Sequence, residues 1–153
     1  MLTFSLLIDC PQHLPQVAAW IFDEWGHLTQ GLTLDKVETH LQNHLNRDAI
    51  PLTVVANQDQ LPVGTASLML NDLSNRPELS PWLASVYVTP EYRKQGVGSQ
   101  LVSAVEKIGH RLGVQKLYLF TPDQERFYAR LGWSVLDHTE YRGEQVVIMS
   151  KLL

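Results

Sequence analysis

The sequence predicts an α/β fold in which a mixed β-sheet of about seven strands is flanked by about four helices. Segments rich in β-branched and aromatic residues alternate with segments whose apolar residues recur at helical spacing. A run with two glycines joins one such strand to one such helix. The 153 residues, 44% hydrophobic and 18% charged, suit a single domain over 1–153 that buries its own core.

Five elements are predicted before residue 71. Residues 3–8 are largely apolar and predict a first strand. Residues 11–25 have helical periodicity, with a proline that a helix tolerates only near its start. Residues 34–45 predict a second helix and follow a threonine that suits the N-cap position. Two apolar stretches at 52–57 and 62–70 flank a short polar turn and predict neighbouring strands.

A loop at 71–81, dense in turn-forming residues, precedes the strand that leads into the glycine run. That strand, at 82–88, is apolar and aromatic, which is typical of a buried strand. The apolar residues between Val97 and Leu112 are spaced for an amphipathic helix. The glycines therefore lie where a strand passes into a helix.

The last third of the chain predicts a strand at 116–120, a helix at 124–131 that ends at a glycine, and a hairpin. The hairpin pairs 133–137 with 145–152 across the turn Tyr141-Arg-Gly-Glu. The predicted order is β-α-α-β-β-β-α-β-α-β-β.

The run Val88–Gly98 has the pattern V-x-P-x-x-R-x-x-G-x-G. At a helix start, unpaired backbone N–H groups and the helix dipole favour an anion. The glycines allow a phosphate to approach the backbone, and Arg93 and Lys94 add positive charge. Ser99 stands where a Walker loop requires lysine, and Leu101 stands where a dinucleotide fingerprint requires a small residue. The run therefore predicts a diphosphate-binding loop of another type.

This pattern resembles the signature of the GNAT superfamily of N-acetyltransferases, in which R/Q-x-x-G-x-G/A binds the pyrophosphate of acetyl-CoA. The stretch Leu117–Trp133 resembles a later motif of the same family, which ends in F-Y-x-x-L-G-F/Y/W. The order of elements also resembles the GNAT fold from end to end. The resemblance implies a splayed sheet, acetyl-CoA (coenzyme A) as the acyl donor, and no metal.

The resemblance also implies which residues bind the donor. The main-chain groups of Val86 and Val88 would pair with the pantetheine arm and the thioester oxygen. Many family members carry asparagine where this chain has Thr121, so the contact there differs. The implied donor-binding residues are Val86, Tyr87, Val88, Arg93, Lys94, Gln95, Gly96, Val97, Gly98, Ser99, Thr121 and Tyr128.

Two residues are candidates for proton transfer. Tyr128 matches the family tyrosine that faces the coenzyme A sulfur, and a phenol of pKa about 10 can protonate a thiolate of pKa about 8.5. Its alternative role is packing against neighbouring aromatic residues. Glu24 is the candidate general base, although an α-amine of pKa about 8 needs no dedicated base. Candidate acceptor contacts are Trp25, His27 and Trp82.

Two function classes stay open. The first is an N-acetyltransferase in which a primary amine attacks acetyl-CoA directly in a ternary complex. Its acceptor would be a small-molecule amine or a peptide or protein N-terminus. The second is a catalytically silent CoA-binding sensor or adaptor. A nucleotide-binding module is disfavoured because the Walker and dinucleotide elements are missing.

Charge and cysteine content limit the partners. The net charge of −4 argues against a nucleic-acid partner. Residues 1–92 carry 3 Lys/Arg and 10 Asp/Glu, whereas residues 93–153 carry 9 and 6, so an acidic half that suits a cationic amine precedes a basic half that suits phosphates. One cysteine and no long apolar run predict a cytoplasmic protein without membrane contact. Domains of this kind often pair through sheet edges, so a homodimer is a further expectation.

Overall fold

The fold consists of seven strands and four α-helices, and the computed structural model describes all of residues 1–153. The strands are β1 (Leu2–Leu6), β2 (Leu52–Gln58), β3 (Leu61–Met69), β4 (Trp82–Val88), β5 (Lys116–Thr121), β6 (Ser134–Tyr141) and β7 (Glu144–Leu152). The α-helices are α1 (Leu14–Trp25), α2 (Leu34–Gln42), α3 (Val97–Arg111) and α4 (Glu125–Arg130). One mixed sheet contains every strand in the order β1-β2-β3-β4-β5-β7-β6. The predicted fold class and order of elements are confirmed.

Several predicted boundaries differ from the structure, among them the start of the first helix, where Pro11–His13 forms a 3-10 turn before α1. The first strand ends at Leu6 because Leu7–Asp9 turns as a 3-10 helix that buries Leu7 beneath α1. The second helix ends at Gln42, and the following turn brings His44 into the interior. The hairpin strand β6 runs on to Tyr141, because the two-residue turn Arg142–Gly143 has φ of 54° and 82°, the left-handed values that a tight hairpin requires.

The helices cover the two faces of the sheet separately. On one face, called the α3 face, Leu101 and Val105 pack with Leu119 of β5 and with Tyr128 of α4. On the other face, called the α1 face, the apolar sides of α1 and α2 pack together and against Val55. Residues at alternating positions of β5 point to opposite faces, as a pleated strand requires.

The sheet opens between β4 and β5. Strand β4 pairs with β3 in antiparallel register along its length, but its parallel pairing with β5 is limited to Trp82 opposite Tyr118. A register shift between Thr65 and Ser67 coincides with Ser85, whose φ of 55° marks a bulge in β4. The splay that the family resemblance implied is therefore present, and a slot separates the two strands beyond Trp82.

The loop between β3 and β4 is fastened to the β6–β7 hairpin on the α1 face. Asn75 Nδ2 donates to the Glu140 carbonyl oxygen at 3.2 Å, and Arg76 forms an ion pair with Asp137 at 3.2 Å. Beneath the loop, Leu73 packs against Trp82 and Ile148. None of the helices combines the length and apolar character that a membrane crossing requires.

Candidate active site

A cavity of about 1060 Å³ occupies the slot between β4 and β5. Its walls include Ala84–Val88 of β4 and Leu119–Thr121 of β5. It reaches the start of α3 in one direction, and it reaches the end of α1 and the hairpin turn in the other. The cavity thus joins the loop that the sequence predicts to bind diphosphate with the α1 face of the sheet.

The start of α3 offers free backbone donors to this cavity. Gly96 is the N-cap residue and has a φ of 84°, a conformation that glycine adopts without strain. The N–H groups of Val97, Gly98 and Ser99 have no hydrogen-bond acceptor within the chain. Since these groups lie at the positive end of a helix of 15 residues, they favour an anion such as a phosphate.

Gly98 keeps this helix start open without being sterically indispensable. A Cβ atom at Gly98 would lie 3.5 Å from Phe127 Cζ and 3.8 Å from Val88 Cγ2, which are ordinary contact distances. The fold could therefore accept a side chain at this position. A side chain there would, however, occupy the space that a phosphate next to the backbone needs. The position suits an approaching phosphate ester and provides a place to block it.

Arg93 and Lys94 line the cavity beside the free N–H groups, and both side chains are exposed. The Arg93 guanidinium carbon lies 5.5 Å from the centre of the Tyr87 ring. Gln95, by contrast, is outside the cavity lining, and its side chain donates to the Glu91 carbonyl oxygen. The positive charge at the helix start therefore comes from Arg93 and Lys94, with Arg93 held in place by the preceding strand.

Backbone groups of β4 also face the slot. Thr89 N–H bonds to Val63 of β3, so the alternation along an antiparallel strand turns the groups of Val86 and Val88 away from β3. The carbonyl oxygen of Val88 accepts a hydrogen bond from Arg93 Nε. Of the two valines that the resemblance implied, Val86 keeps both backbone groups for a ligand, and Val88 keeps its N–H.

Tyr128 lies in the cavity wall on α4. Its ring packs edge to face against Phe127 and Trp133, with centroid distances of 4.9 and 6.2 Å. The hydroxyl group makes no hydrogen bond to the protein. Burial, together with the nearby Asp123 carboxylate, raises the pKa of Tyr128 to about 12. The side chain therefore combines the predicted packing role with a hydroxyl group that remains protonated at neutral pH.

Thr121 lies in the same wall, but its hydroxyl oxygen bonds to the backbone of the turn that follows it. Its Oγ1 atom accepts a hydrogen bond of 3.0 Å from the backbone N–H of Gln124, which fixes the turn before α4. The side chain is buried, and its hydroxyl proton is still available to a ligand. Thr121 can therefore donate a hydrogen bond, but its oxygen is already occupied.

The candidate acceptor residues fall into two groups. Glu24, Trp25 and His27 all line the α1-face end of the cavity, Trp25 half-buried and the other two exposed. Trp82 does not line it: the side chain is fully buried, and its Nε1 atom donates to the Leu79 carbonyl oxygen at 2.7 Å. The proposed contact of Trp82 with an acceptor is therefore incorrect, because this tryptophan anchors the β3–β4 loop.

Sequence reasoning missed one part of the wall. The α1-face end also contains Asp72, which follows β3, and residues of the β6–β7 hairpin. No local motif marks these residues, because the loop pattern predicts turns and the hairpin pattern predicts only pairing. The acidic balance of residues 1–92 was the one signal that pointed to a cationic ligand at this end. The residues are Asp72, Tyr141, Arg142, Glu144 and Val146.

A mixed sheet that opens beside an anion-binding helix start is the architecture of acyltransferases that use coenzyme A thioesters. The family model described as the acetyltransferase (GNAT) family matches residues 14–133, and the chain belongs to that family. It is therefore an acetyltransferase of the GNAT type, and its splayed mixed sheet agrees with that assignment.

Solved structures at low sequence identity share this fold. A GNAT-family acetyltransferase from Streptococcus pneumoniae has a TM-score of 0.74 at 16% identity, with 100% of this chain and 99% of that chain covered. An aminoglycoside 6'-N-acetyltransferase complexed with coenzyme A has a TM-score of 0.75 at 16% identity, over 98% and 96% of the two chains. N-acetylglutamate synthase from Neisseria gonorrhoeae has a TM-score of 0.70 at 16% identity, covering 100% of this chain and 35% of that one. No curated protein matches the sequence.

Proposed function

We propose that the protein transfers the acetyl group of acetyl-CoA to a primary amine, which attacks directly in a ternary complex. The observation that carries this proposal is the cavity that runs through the open sheet. One end has the free N–H groups of α3, and the other has acidic and aromatic side chains at the end of α1. A protein that only bound coenzyme A would have no need of the second end, so the cavity favours an enzyme over a sensor.

The residues of the α3 face fit the chemistry of the donor. The N–H groups of Val97, Gly98 and Ser99, with Arg93 and Lys94, would hold the pyrophosphate. The free backbone groups of Val86 would pair with the pantetheine arm in the slot, where β5 leaves them unpaired. The thioester supplies an acyl group that an amine can take without a covalent enzyme intermediate.

The main chain of β4 supports the transfer step. The amine nitrogen forms a bond to the carbonyl carbon while the carbon–sulfur bond breaks, and the carbonyl oxygen gains negative charge. The N–H of Val86 or Val88 would donate to that oxygen, a contribution of roughly 3 kcal/mol for one fixed donor in an enclosed site. The one cysteine, Cys10, is buried beneath α1 outside the cavity lining, so attack through that thiol is not part of the proposal.

Tyr128 would act as the proton donor to the departing sulfur. The hydroxyl group has no protein partner and can donate a hydrogen bond as the thiolate forms. Because its pKa is raised to about 12, a free phenolate would be unfavourable. We therefore propose that Tyr128 donates its proton to the sulfur and regains one that the attacking amine releases into the slot. Tyr128 would then not remain as a phenolate. The net reaction gives an amide, a free thiol and, from an ammonium acceptor, one released proton.

The test is acetyl-CoA binding by titration calorimetry, with wild type beside Gly98→Glu and Gly98→Ala. The glutamate carboxylate should repel the pyrophosphate and lower affinity at least 30-fold, about 2 kcal/mol. Gly98→Ala adds only the methyl group, which meets ordinary contacts, and should bind more tightly than Gly98→Glu. Release of free thiol with a panel of primary amines then measures turnover. A wild type that binds no acetyl-CoA would overturn the proposal, as would equal binding by all three proteins.

A further inference from the structure

The α1-face end of the cavity has a carboxylate in a fixed position. Asp72 is partly buried and lies between two anchored residues of the β3–β4 loop. On one side, the Leu70 carbonyl oxygen accepts a hydrogen bond of 2.6 Å from Ser80 Oγ. On the other, Leu73 is 1% exposed and packs on Trp82 and Ile148. The two anchors of the loop thus keep Asp72 at the cavity wall and prevent it from turning out into solvent.

Asp72 also lacks a partner inside the protein. The five ion pairs of the chain use other carboxylates, and no hydrogen bond stabilises the Asp72 carboxylate. Arg142 in the hairpin turn is the one cation whose charge acts on it, and Arg142 is exposed beside the Tyr141 ring. A partly buried carboxylate without a partner is unfavourable unless a ligand supplies the missing donor.

The charges around Asp72 indicate the sign of that ligand. Glu24 and His27 line the cavity at the end of α1, and Tyr141, Arg142 and Glu144 line it at the hairpin. Glu24, Asp72 and Glu144 supply three carboxyl groups against the single guanidinium of Arg142, so acidic side chains outnumber basic ones at this end. Such an environment favours an ammonium ion.

We infer that Asp72 binds the ammonium group of the acceptor and takes its proton, and that the acceptors are primary amines that are cationic at neutral pH. This inference rests on the proposed acetyl transfer and names the acceptor class of that same site. In the step, one nitrogen–hydrogen bond breaks and a proton joins a carboxylate oxygen of Asp72. The nitrogen keeps its electron pair and uses it to attack the thioester carbonyl. Solvent removes the proton from Asp72 afterwards.

The titration of Asp72 suits this role. Burial raises the pKa of its carboxyl group to about 7, and the nearby Arg142 charge works in the opposite direction. A general base is most effective when its pKa lies near the operating pH. Glu24, the base that the sequence suggested, is exposed at the end of α1 and would contribute charge instead.

The first experiment is binding, which is independent of turnover. Carboxyl-carbon NMR would follow the titration of Asp72 with and without an amine probe, taking spermidine, kanamycin and a tripeptide amide in turn. A bound ammonium ion stabilises the carboxylate, so at least one probe should lower the midpoint of Asp72 by about one pH unit. If none of the three probes shifts that midpoint, the inference is overturned, whether or not acetyl-CoA binds.

The second experiment is kinetic and uses Asp72→Asn with Glu78→Gln as its matched control. Glu78 belongs to the same loop but is exposed outside the cavity lining. With the best amine of the panel, Asp72→Asn should lower kcat/KM about 100-fold. It should change acetyl-CoA affinity less than twofold, while Glu78→Gln changes neither. A loss of acetyl-CoA binding in Asp72→Asn would indicate a structural role and contradict the inference.

The pH profile separates the base from the amine. In wild type, kcat/KM should rise as the pH passes about 7, because Asp72 must be deprotonated. This rise should be absent in Asp72→Asn, leaving only the rise that follows the pKa of the amine used.

Arg142→Gln should move the wild-type midpoint to higher pH, since it removes the cation that favours the carboxylate, and Arg142→Lys should not. A profile that is the same in wild type and Asp72→Asn would exclude Asp72 as the base. No acetyl-CoA binding in wild type would instead refute the acetyltransferase proposal.

Discussion

Arg93 Nε donates a hydrogen bond of 2.8 Å to the carbonyl oxygen of Val88. This contact joins the loop before α3 to the last residue of β4, so the guanidinium is held where the strand ends and the cavity begins. Its two terminal nitrogens make no hydrogen bond within the protein, and Arg93 lines the same cavity as the free N–H groups at the start of α3. One side chain thus orders the loop and supplies charge for an anion.

Substitution of Arg93 should weaken binding of acetyl-CoA. Arg93→Ala removes both the charge and the contact with Val88, and a hydrogen bond to a charged group contributes about 1.5 to 3 kcal/mol, so affinity should fall roughly 10- to 100-fold. Arg93→Lys keeps the charge but loses the fixed geometry, and should fall between wild type and Arg93→Ala. Titration calorimetry measures all three. Lys107→Ala, an exposed change on α3, serves as the control, and unchanged affinity in Arg93→Ala would refute the role.

Tyr128→Phe should lower kcat about tenfold or more while acetyl-CoA affinity changes little, because the change removes one proton donor and keeps the ring packing. The pKa of Tyr128, raised to about 12, adds a second expectation. The phenol must be protonated to donate, and it loses its proton only as the pH rises through about 12. Wild-type kcat should therefore not decline between about pH 8 and about pH 10 through this group. Steady-state kinetics over that range tests both points, and equal kcat in the two proteins would leave Tyr128 with packing alone.

His44 should make the stability of the protein depend on pH. Its side chain is 2% exposed, Nδ1 lies 2.9 Å from Thr53 Oγ1, and Nε2 has no partner. Burial and the neighbouring His40 lower the pKa of His44 to about 4, below its ordinary value of 6.5. Between these two values the unfolded chain binds the proton and the folded chain does not. The free energy of unfolding should therefore decrease as the pH falls from 6.5 to about 4, by roughly 3 kcal/mol in all.

Urea unfolding at about pH 7 and about pH 5 checks this dependence. His44→Leu should lose less stability between the two pH values than wild type does, although it is less stable than wild type at the higher one. His110→Gln alters an exposed histidine and should keep the wild-type dependence. The same pH dependence in His44→Leu and wild type would show that other groups cause it.

The fold was predictable where a pattern repeats along the chain. Alternation and helical spacing placed every strand and helix, and the two-residue turn after Tyr141 identified the hairpin. The errors lie where tertiary packing decides. Nothing in the local pattern indicates that Leu7 is drawn beneath α1, and the opening between β4 and β5 was expected only from the family resemblance. Sequence spacing describes neighbours along the chain, whereas these features depend on neighbours across the sheet.

The candidate site divides in the same way. The donor end was predictable because Val88–Gly98 is one continuous segment whose residue types match a stated chemistry. The acceptor end combines α1, the β3–β4 loop and the β6–β7 hairpin, which are distant in the sequence. Trp82 illustrates the difficulty, since an aromatic residue beside a loop suits a binding role until its indole is found buried and bonded to Leu79. Asp72, which carries no motif, is the residue in that loop that faces the cavity.

The two ends of the cavity also differ in which chemical groups line them. At the donor end the groups that face the ligand belong largely to the main chain of β4 and α3, and they persist whatever side chains those segments carry. At the acceptor end they are individual side chains such as Glu24, Asp72 and Arg142. In the proposed reaction, a single substitution at the acceptor end would therefore change which amine binds and leave the contacts to the thioester unchanged. On that proposal, the donor half of the reaction depends on the fold itself, whereas the acceptor half depends on side chains that single mutations can exchange.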